Sequence, residues 1–424
     1  MDFNTLLLRL GIHPDNFINK ENEPIKINNG FLYDVEQAAT NRKCLHCDND
    51  DSVIIGYYFT ETKCSESDNF KDILRIKRVR LKCKKCGKTF SPPISGIERY
   101  STISQQVKQF ILNDFVKPIT FAHIGEKYSL TKNRIIQMFD DKVKYVPRRE
   151  MPHVLCIDEI KFSEELDQKY CCVLYDFENK EIVDIIKNRQ MPFLREYFSN
   201  IPIKERENTK VFISDMYDAY ASVCTSYFPK AIHVVDMFHI VTQLTRAVNT
   251  LRVNTMNSYT EKKDPYYNFM KSKWKCFLCR TEKIPDKRYT HMKTGETFHY
   301  DEMVYKCISF NNKFSSGYLA LQDLFHFPYY SNYEESLKFI EFLSQKLDNS
   351  FSILLKKVGE TYHRWRFEIA NAFTVGNKEI RYTNAIAECL NNQLKTIIKS
   401  AYGYHNFERF RKRAMLITTY RKKP

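Results

Sequence analysis

Glycine is scarce, with 11 in 424 residues. Gly87-Lys88-Thr89 resembles the end of a nucleotide-binding loop, but Lys82 stands where that loop's first glycine belongs. A backbone cradle for phosphate is therefore excluded there, and with it nucleotide hydrolysis by that route. No run of eighteen apolar residues occurs, which excludes a membrane-spanning helix. Met1–Leu10 is apolar but carries Asp2 and lacks a basic start, so it does not read as a secretory signal and an intracellular chain is expected. Acidic residues are outnumbered: 66 Lys and Arg face 51 Asp and Glu, a formal net charge of +15. That balance favours a polyanionic partner, and nucleic acid is the default where no membrane feature competes.

Cysteine, by contrast, is plentiful, and its count of 13 is odd. In a long intracellular chain such residues serve as metal ligands or small apolar groups more often than as disulfides. Cys44-Leu-His-Cys47 and Cys83-Lys-Lys-Cys86 are two Cys-x-x-Cys knuckles, the spacing of a structural zinc site with four thiolate ligands. Between them Ser52–Thr60 and Ile73–Leu81 alternate like ribbon strands, and the long separation implies an extended hairpin. Gly87 follows the second pair and lets the chain turn around the metal. His46 and Cys64 are left out of the shell. Up to about Thr40 the chain is weakly patterned, with a short helix over Phe3–Leu10 and a loop over Glu21–Asn29.

Residues 102–146 have helical period. Ile103–Phe115 forms a first helix, and Thr120–Tyr128, Ser129-Leu130 and Thr131–Phe139 read as helix, turn, helix. Ala122, Ile124, Leu130, Ile135 and Ile136 would pack the angle. Thr131, Lys132, Asn133, Arg134 and Gln137 would open a second helix that meets DNA. A plain helical bundle gives the same pattern. Val146–Pro152 reads as a linker.

From His153 three strand-like runs follow: the first ends on Asp158, then come Lys169–Phe177 and Glu181–Lys187. A helix (Pro192–Ser199), a strand ending on Asp215, a helix (Tyr217–Tyr227) and a strand ending on Asp236 complete the block. Antiparallel strands followed by strand–helix alternation suit an α/β ribonuclease-H-like fold, in which Asp158 and Asp215 end adjacent central strands. Asp236 rivals Asp215 for the second position or stands behind it. Glu159 should face the opposite way. Asn384, Glu388, Asn391 and Lys395 share one stripe of an amphipathic helix whose apolar side is Ile386, Leu390, Leu394 and Ile397. Two Asp on strands and a Glu on a helix form a carboxylate set for two magnesium ions in phosphoryl transfer. Asn384, Asn391 and Lys395 would support that set.

The region between, mostly helical, reads as an insertion. His233 and His239 flank Asp236, as supporting groups or as packed core. Cys276, Cys279, His291, His299 and Cys307 invite a second zinc reading, but buried cysteines fit better because no second knuckle exists. Trp365 with Arg364 and Arg366 would grip DNA or pack in the core. The C-terminal helix is capped by Asn406, with Phe407, Phe410, Ala414 and Ile417 inward. Arg409, Arg411, Lys412 and Arg413 would form a basic surface for phosphate.

The chain resembles insertion-sequence transposases of the ISL-three family, of the broad DDE class. The resemblance rests on the paired Cys-x-x-Cys module, the helix-turn-helix, Ile-Asp158-Glu-Ile, Ser-Asp215-Met-Tyr, Val-Asp236-Met-Phe-His and Asn384-x-x-x-Glu388. The tail Ala401-Tyr-Gly-Tyr-His-Asn-Phe-Glu-Arg-Phe-Arg is similar to that family's C-terminal signature. It implies an N-terminal zinc-binding ribbon over residues 1–98 and a helix-turn-helix domain over 99–147. An α/β ribonuclease-H-like catalytic domain would cover 148–240 and 374–424, around a helical insertion at 241–373. Asp158, Asp215 and Glu388 would be the catalytic triad, binding Mg2+ or Mn2+, and Cys44, Cys47, Cys83 and Cys86 would hold Zn2+. The partners implied are double-stranded DNA, as terminal inverted repeats and target, and further copies of the chain; the setting is the bacterial cytoplasm, at the nucleoid. The alternatives are a zinc-dependent DNA-binding regulator with an inactive α/β domain, or a nuclease without strand transfer.

Overall fold

The computed structural model describes residues 3–18, 23–40, 42–67, 70–163, 169–259, 264–291, 295–328, 332–376, 382–383 and 385–420. They form two compact units, Met1–Pro147 with Thr396–Pro424, and Arg148–Lys395.

The first unit opens with α1 (Phe3–Arg9), then β1 (Ile25–Ile27), β2 (Gly30–Glu36), β3 (Ser52–Ser67), β4 (Phe70–Cys83) and β5 (Thr89–Phe90). The sheet order is β1-β2-β4-β3, with β5 also on β4. The hairpin β3–β4 is longer than its apolar alternation suggested, running from Ser52 opposite Cys83 to Ser67 opposite Phe70. Polar residues extend the ladder because backbone pairing, once in register, does not need an apolar side chain at each step. β1 falls in the stretch expected to be a loop; β2 lies parallel to β4 and is held by that tertiary pairing. Helices α2 (Gln105–Asp114), α3 (Phe121–Lys127) and α4 (Lys132–Lys142) follow. Ser104, Thr120 and Thr131 cap them, each side chain accepting from a backbone N–H in the first turn. Ile124, Ile135, Phe115 and Phe139 are buried together, with Leu130 and Ile136 at the margin. Gly125 is required at the turn, because a Cβ there would lie 2.6 Å from the Leu130 carbonyl oxygen.

The second unit begins with β6 (Val154–Lys161), β7 (Tyr170–Asp176) and β8 (Glu181–Ile186), then α5 (Met191–Ser199), α6 (Ile203–Arg206), β9 (Val211–Ser214), α7 (Asp218–Tyr227) and β10 (Ile232–Val235). The sheet order is β10-β9-β6-β7-β8. β6, β7 and β8 form an antiparallel meander, while β9 and β10 join parallel to β6 and to each other. Leu155, Ile157, Leu174 and Phe212 pack against Leu194 and Phe198 of α5 and Tyr220 and Val223 of α7. The long helix α8 (Met237–Asn257) starts the insertion, followed by α9 (Pro265–Ser272), the hairpin β11 (Arg288–Thr290) and β12 (Thr297–His299), α10 (Tyr300–Ser309), α11 (Asn312–His326), α12 (Tyr333–Asp348), α13 (Ile353–Arg364) and α14 (Arg366–Thr374). This block has its own core, which takes in Cys276, Cys307 and Trp365. α15 (Ala385–Ser400) follows.

The last helix, α16 (Phe407–Tyr420), corrects one expectation. The sequence pattern places it with the catalytic domain and gives it a basic surface, whereas from Thr396 on the chain belongs to the first compact unit. Tyr404 and Leu416 pack on the α2–α4 cluster. Arg413 is only 1% exposed, lies over the Phe121 ring and donates to the carbonyls of Lys117 and Ile119. Arg409 makes a two-pronged pair with Asp140, and Arg411 donates to the Val146 carbonyl. Phe407, Phe410, Ala414 and Ile417 are buried as expected.

Candidate functional site

Two constellations stand out. In the first unit the β3–β4 register sets Ser52 against Cys83, which brings the knuckle before β3 to the knuckle after β4. The Sγ atoms of Cys44 and Cys86 lie 3.6 Å apart, as do those of Cys47 and Cys83. All four lie within 4.8 Å of one another. A tetrahedron with metal–sulfur bonds of about 2.3 Å has edges of about 3.8 Å, so the set fits one zinc-sized ion. Each knuckle turns through a left-handed residue just after its second cysteine, Asp48 (φ 56°) and Gly87 (φ 71°). Backbone N–H groups of Cys86 and Lys85 lower the Cys83 thiol to about 7. Cys64 is buried in the apolar core, apart from this set.

In the second unit Asp158 is not the end of its strand: β6 runs on to Lys161. Asp-Glu-Ile-Lys keeps the alternation a strand needs, and β7 pairs with it throughout. The parallel ladders place Cys156 opposite Ile213 and Val235 opposite Ser214. Continued by two residues and by one, they set Asp158, Asp215 and Asp236 in one row. Asp158 and Asp215 share the sheet face opposite α5 and α7, and Glu159 faces the other way. Glu159 is bound there by Arg189 and, at 3.3 Å, by the Tyr220 hydroxyl. Burial pushes Asp158 up to about 6, and the charge of Asp215 adds to it. Burial likewise pushes Asp215 up to about 6, with Glu159 adding. Asp215 Oδ1 is buried and has no hydrogen-bond partner among the described residues. Two neighbouring half-buried carboxylates, one with an unmatched oxygen, fit a divalent cation better than they fit each other.

Asp236 is 2% exposed and caps α8 through Phe238 N–H, a structural duty. His239 stands 3.9 Å from it. His233 is half-buried: loss of hydration lowers it to about 4, and its ring bonds the Ser214 hydroxyl at 2.8 Å.

α15 meets this face through Asn391, 3% exposed, whose amide donates to Asp158 Oδ2 at 2.7 Å. The buried Tyr175 hydroxyl donates in turn to the Asn391 side-chain oxygen Oδ1. This Tyr175–Asn391–Asp158 chain fixes the carboxylate's rotamer. Glu388, one turn earlier on α15, is exposed, as is Lys395. Glu388 does not join Asp158 and Asp215: among the described residues the four cysteines are the sole group of three or more His, Cys, Asp or Glu with ligand atoms mutually within 4.8 Å. Asn384 lies outside the described residues.

Thr131, Lys132, Asn133, Arg134 and Gln137 are all exposed at the start of α4, and Arg134 donates to Gln137 at 2.9 Å. Tyr175 went unnoticed in the sequence. Its one signal was its place on alternate positions with Cys171 and Val173, on the face that carries Asp158.

A family model described as transposase, of the ISL3 DDE type, matches residues 155–414, more than half of the chain. The chain belongs to the ISL3 transposase family. A curated relative, the transposase for insertion sequence element IS1001 of Bordetella parapertussis, is 20% identical over 347 residues, 80% of each chain. Membership in the ISL3 transposases carries the ribonuclease-H-like fold, which the mixed sheet and its helices fit, and an enzyme that acts on DNA. No helix among the described residues is long and apolar enough to cross a membrane.

Proposed function

We propose that the protein binds the terminal inverted repeats of an insertion sequence and catalyses metal-dependent strand cleavage and strand transfer. The observation that carries this reading is the register of Asp158 with Asp215 on neighbouring parallel strands, with a buried, unmatched Asp215 oxygen. Asp158 and Asp215 would hold Mg2+ or Mn2+, and Glu388, on the stripe of α15 that carries Asn391, is assigned as the third ligand. Bound there, divalent metal supplies a nucleophilic water or 3′-hydroxyl at neutral pH and stabilises the leaving oxygen. The chain's own share is positioning. Asn391 and Tyr175 hold Asp158 in place, and the rigid sheet spaces the two aspartates. Asp236, Asn384 and Lys395 are assigned supporting roles around them.

The four thiolates of Cys44, Cys47, Cys83 and Cys86 would hold zinc as a structural ion, tying the ends of the hairpin. α3 and α4 are read as a helix-turn-helix, with Thr131, Lys132, Asn133, Arg134 and Gln137 toward DNA. Their exposure supports that reading, and the burial of Arg413 removes it from any such surface. Lys412 is the member of the C-terminal set left for phosphate. A dimer or larger assembly is expected, since two element ends are joined.

Labelled duplex carrying the terminal repeat tests the proposal. Wild type should cut it with Mg2+ or Mn2+, and Asp158→Asn should bind it equally without cutting. Binding without cutting by wild type would favour a regulator. Cutting without joining of a pre-cut end would favour a nuclease. Equal cutting by wild type and Asp158→Asn would remove Asp158 from the chemistry.

A further inference from the structure

A cleft of about 620 Å³ is lined by Asp215 and by residues of α8 and α13. α8 is amphipathic about this cleft. Ile240, Leu244, Ala247 and Val248 are buried in the helical core. His239, Thr242, Gln243 and Arg246, at i, i+3, i+4 and i+7, form a polar stripe that lines the cleft. Arg246 is exposed and makes no ion pair among the described residues. From α13, Arg364 lines the same cleft and pairs with Asp218, its sole ion pair among the described residues, with both side chains about two-thirds exposed (64% and 63%). A pair so solvated is worth little and gives way to a better anion. In the same lining, Gln243 donates to Thr361 Oγ1 at 3.3 Å, while its own side-chain carbonyl oxygen is buried with no donor among the described residues. The cleft is therefore lined by two arginines and an unsatisfied amide oxygen, and it takes in Asp215.

We infer that this cleft is a DNA-backbone subsite that takes the phosphates flanking the bond to be cut, with Arg246 and Arg364 as its cationic contacts. The inference rests on the transposase reading of Asp158 and Asp215. It gives the helical insertion a role, since α8 starts on Asp236, in the carboxylate row, and carries the polar stripe away from it. From His239 to Arg246 the helix rises about 10 Å. Along one strand that is about three nucleotides, at about 3.4 Å each. Guanidinium groups suit such sites because they bind phosphate through paired N–H donors.

Two measurements on the full chain test it. First, a photo-crosslinking side chain at position 246, in an Asp158→Asn background, is irradiated on labelled terminal-repeat duplex. Crosslinks should map within about three nucleotides of the wild-type cut. Second, the salt dependence of binding to the same duplex is compared for wild type, Arg246→Gln and Arg246→Lys. Losing one phosphate contact should shrink the slope of log affinity against log salt by about 1, and lysine should restore it. An unchanged melting temperature shows that Arg246→Gln folds. Crosslinks confined to distant nucleotides, or an unaltered slope in Arg246→Gln while wild type cuts, overturn the subsite and leave the transposase reading intact. If wild type binds but never cuts, the transposase reading fails, and the slope alone decides whether Arg246 meets DNA.

Discussion

The cysteine set and the carboxylate set are built in opposite ways. The four sulfurs are already within reach of one ion, because two local turns are brought together by one hairpin register. The carboxylates come from β6, the end of β9 and α15, and only the two on the sheet are neighbours. Thiols carry less charge than carboxylates when unbound and tolerate close approach to one another. Carboxylates lose hydration when partly buried, and that loss, with nearby negative charge adding to it, raises both aspartates to about 6. One site is thus assembled by the fold and the other is poised for ligand.

The largest effect should come from breaking the assembled site. Cys44→Ser or Cys86→Ser should lose bound zinc and repeat binding together, since a structural zinc contributes on the order of 10 kcal/mol of folding free energy. Full zinc content by metal analysis in either variant would remove the site. Asp215→Asn tests the poised site. It should abolish cutting and yet raise the metal-free melting temperature by a few degrees, at about 2–4 °C per kcal/mol, because it removes a buried, unmatched charge. A lowered melting temperature would show that Asp215 is a structural residue instead.

A smaller effect attaches to His233, on β10 of the central sheet. The Ser214 hydroxyl donates to the Asp215 carbonyl, so the neutral His233 ring donates to Ser214 through Nε2. Its folded value of about 4 lies below the ordinary 6.5. The unfolded chain therefore takes up a proton first as pH falls. Stability is full above about pH 6.5 and declines toward pH 4, by about 2 kcal/mol at pH 5. Denaturant melts of wild type and His233→Gln across that range should differ in slope, the variant being flatter; parallel curves would contradict the burial account. The smallest effect is expected of Tyr175→Phe, which deletes one buried hydrogen bond and should cost about 1 kcal/mol. It should also weaken Mn2+ binding while Asp158 remains, because Asn391 then loses its anchor.

How much of this was legible depends on how local each cause is. The knuckles, the hairpin and the buried strands of the central sheet could be read because spacing and alternation are local properties. The pairing of β6 with β9 followed from strand order. The continuation of β6 past Asp158 was missed because an apolar run stops there while the backbone ladder does not. β1 and β2 were invisible because they are held by sheet pairing, β2 on β4 and β1 on β2. Arg409, Arg411 and Arg413 read as a basic face, since a sequence does not distinguish an arginine in water from one stacked on Phe121. Tyr175 and the polar stripe of α8 escaped notice for the same reason: their meaning lies in what faces them.

The most direct test of the central claim is to locate manganese by anomalous scattering in crystals of the protein bound to terminal-repeat DNA. The account predicts a peak touching Asp158 and Asp215, with the Glu388 carboxylate brought to it and a DNA phosphate alongside. A peak held by other residues, or DNA bound with that pair of aspartates bare of metal, would contradict it.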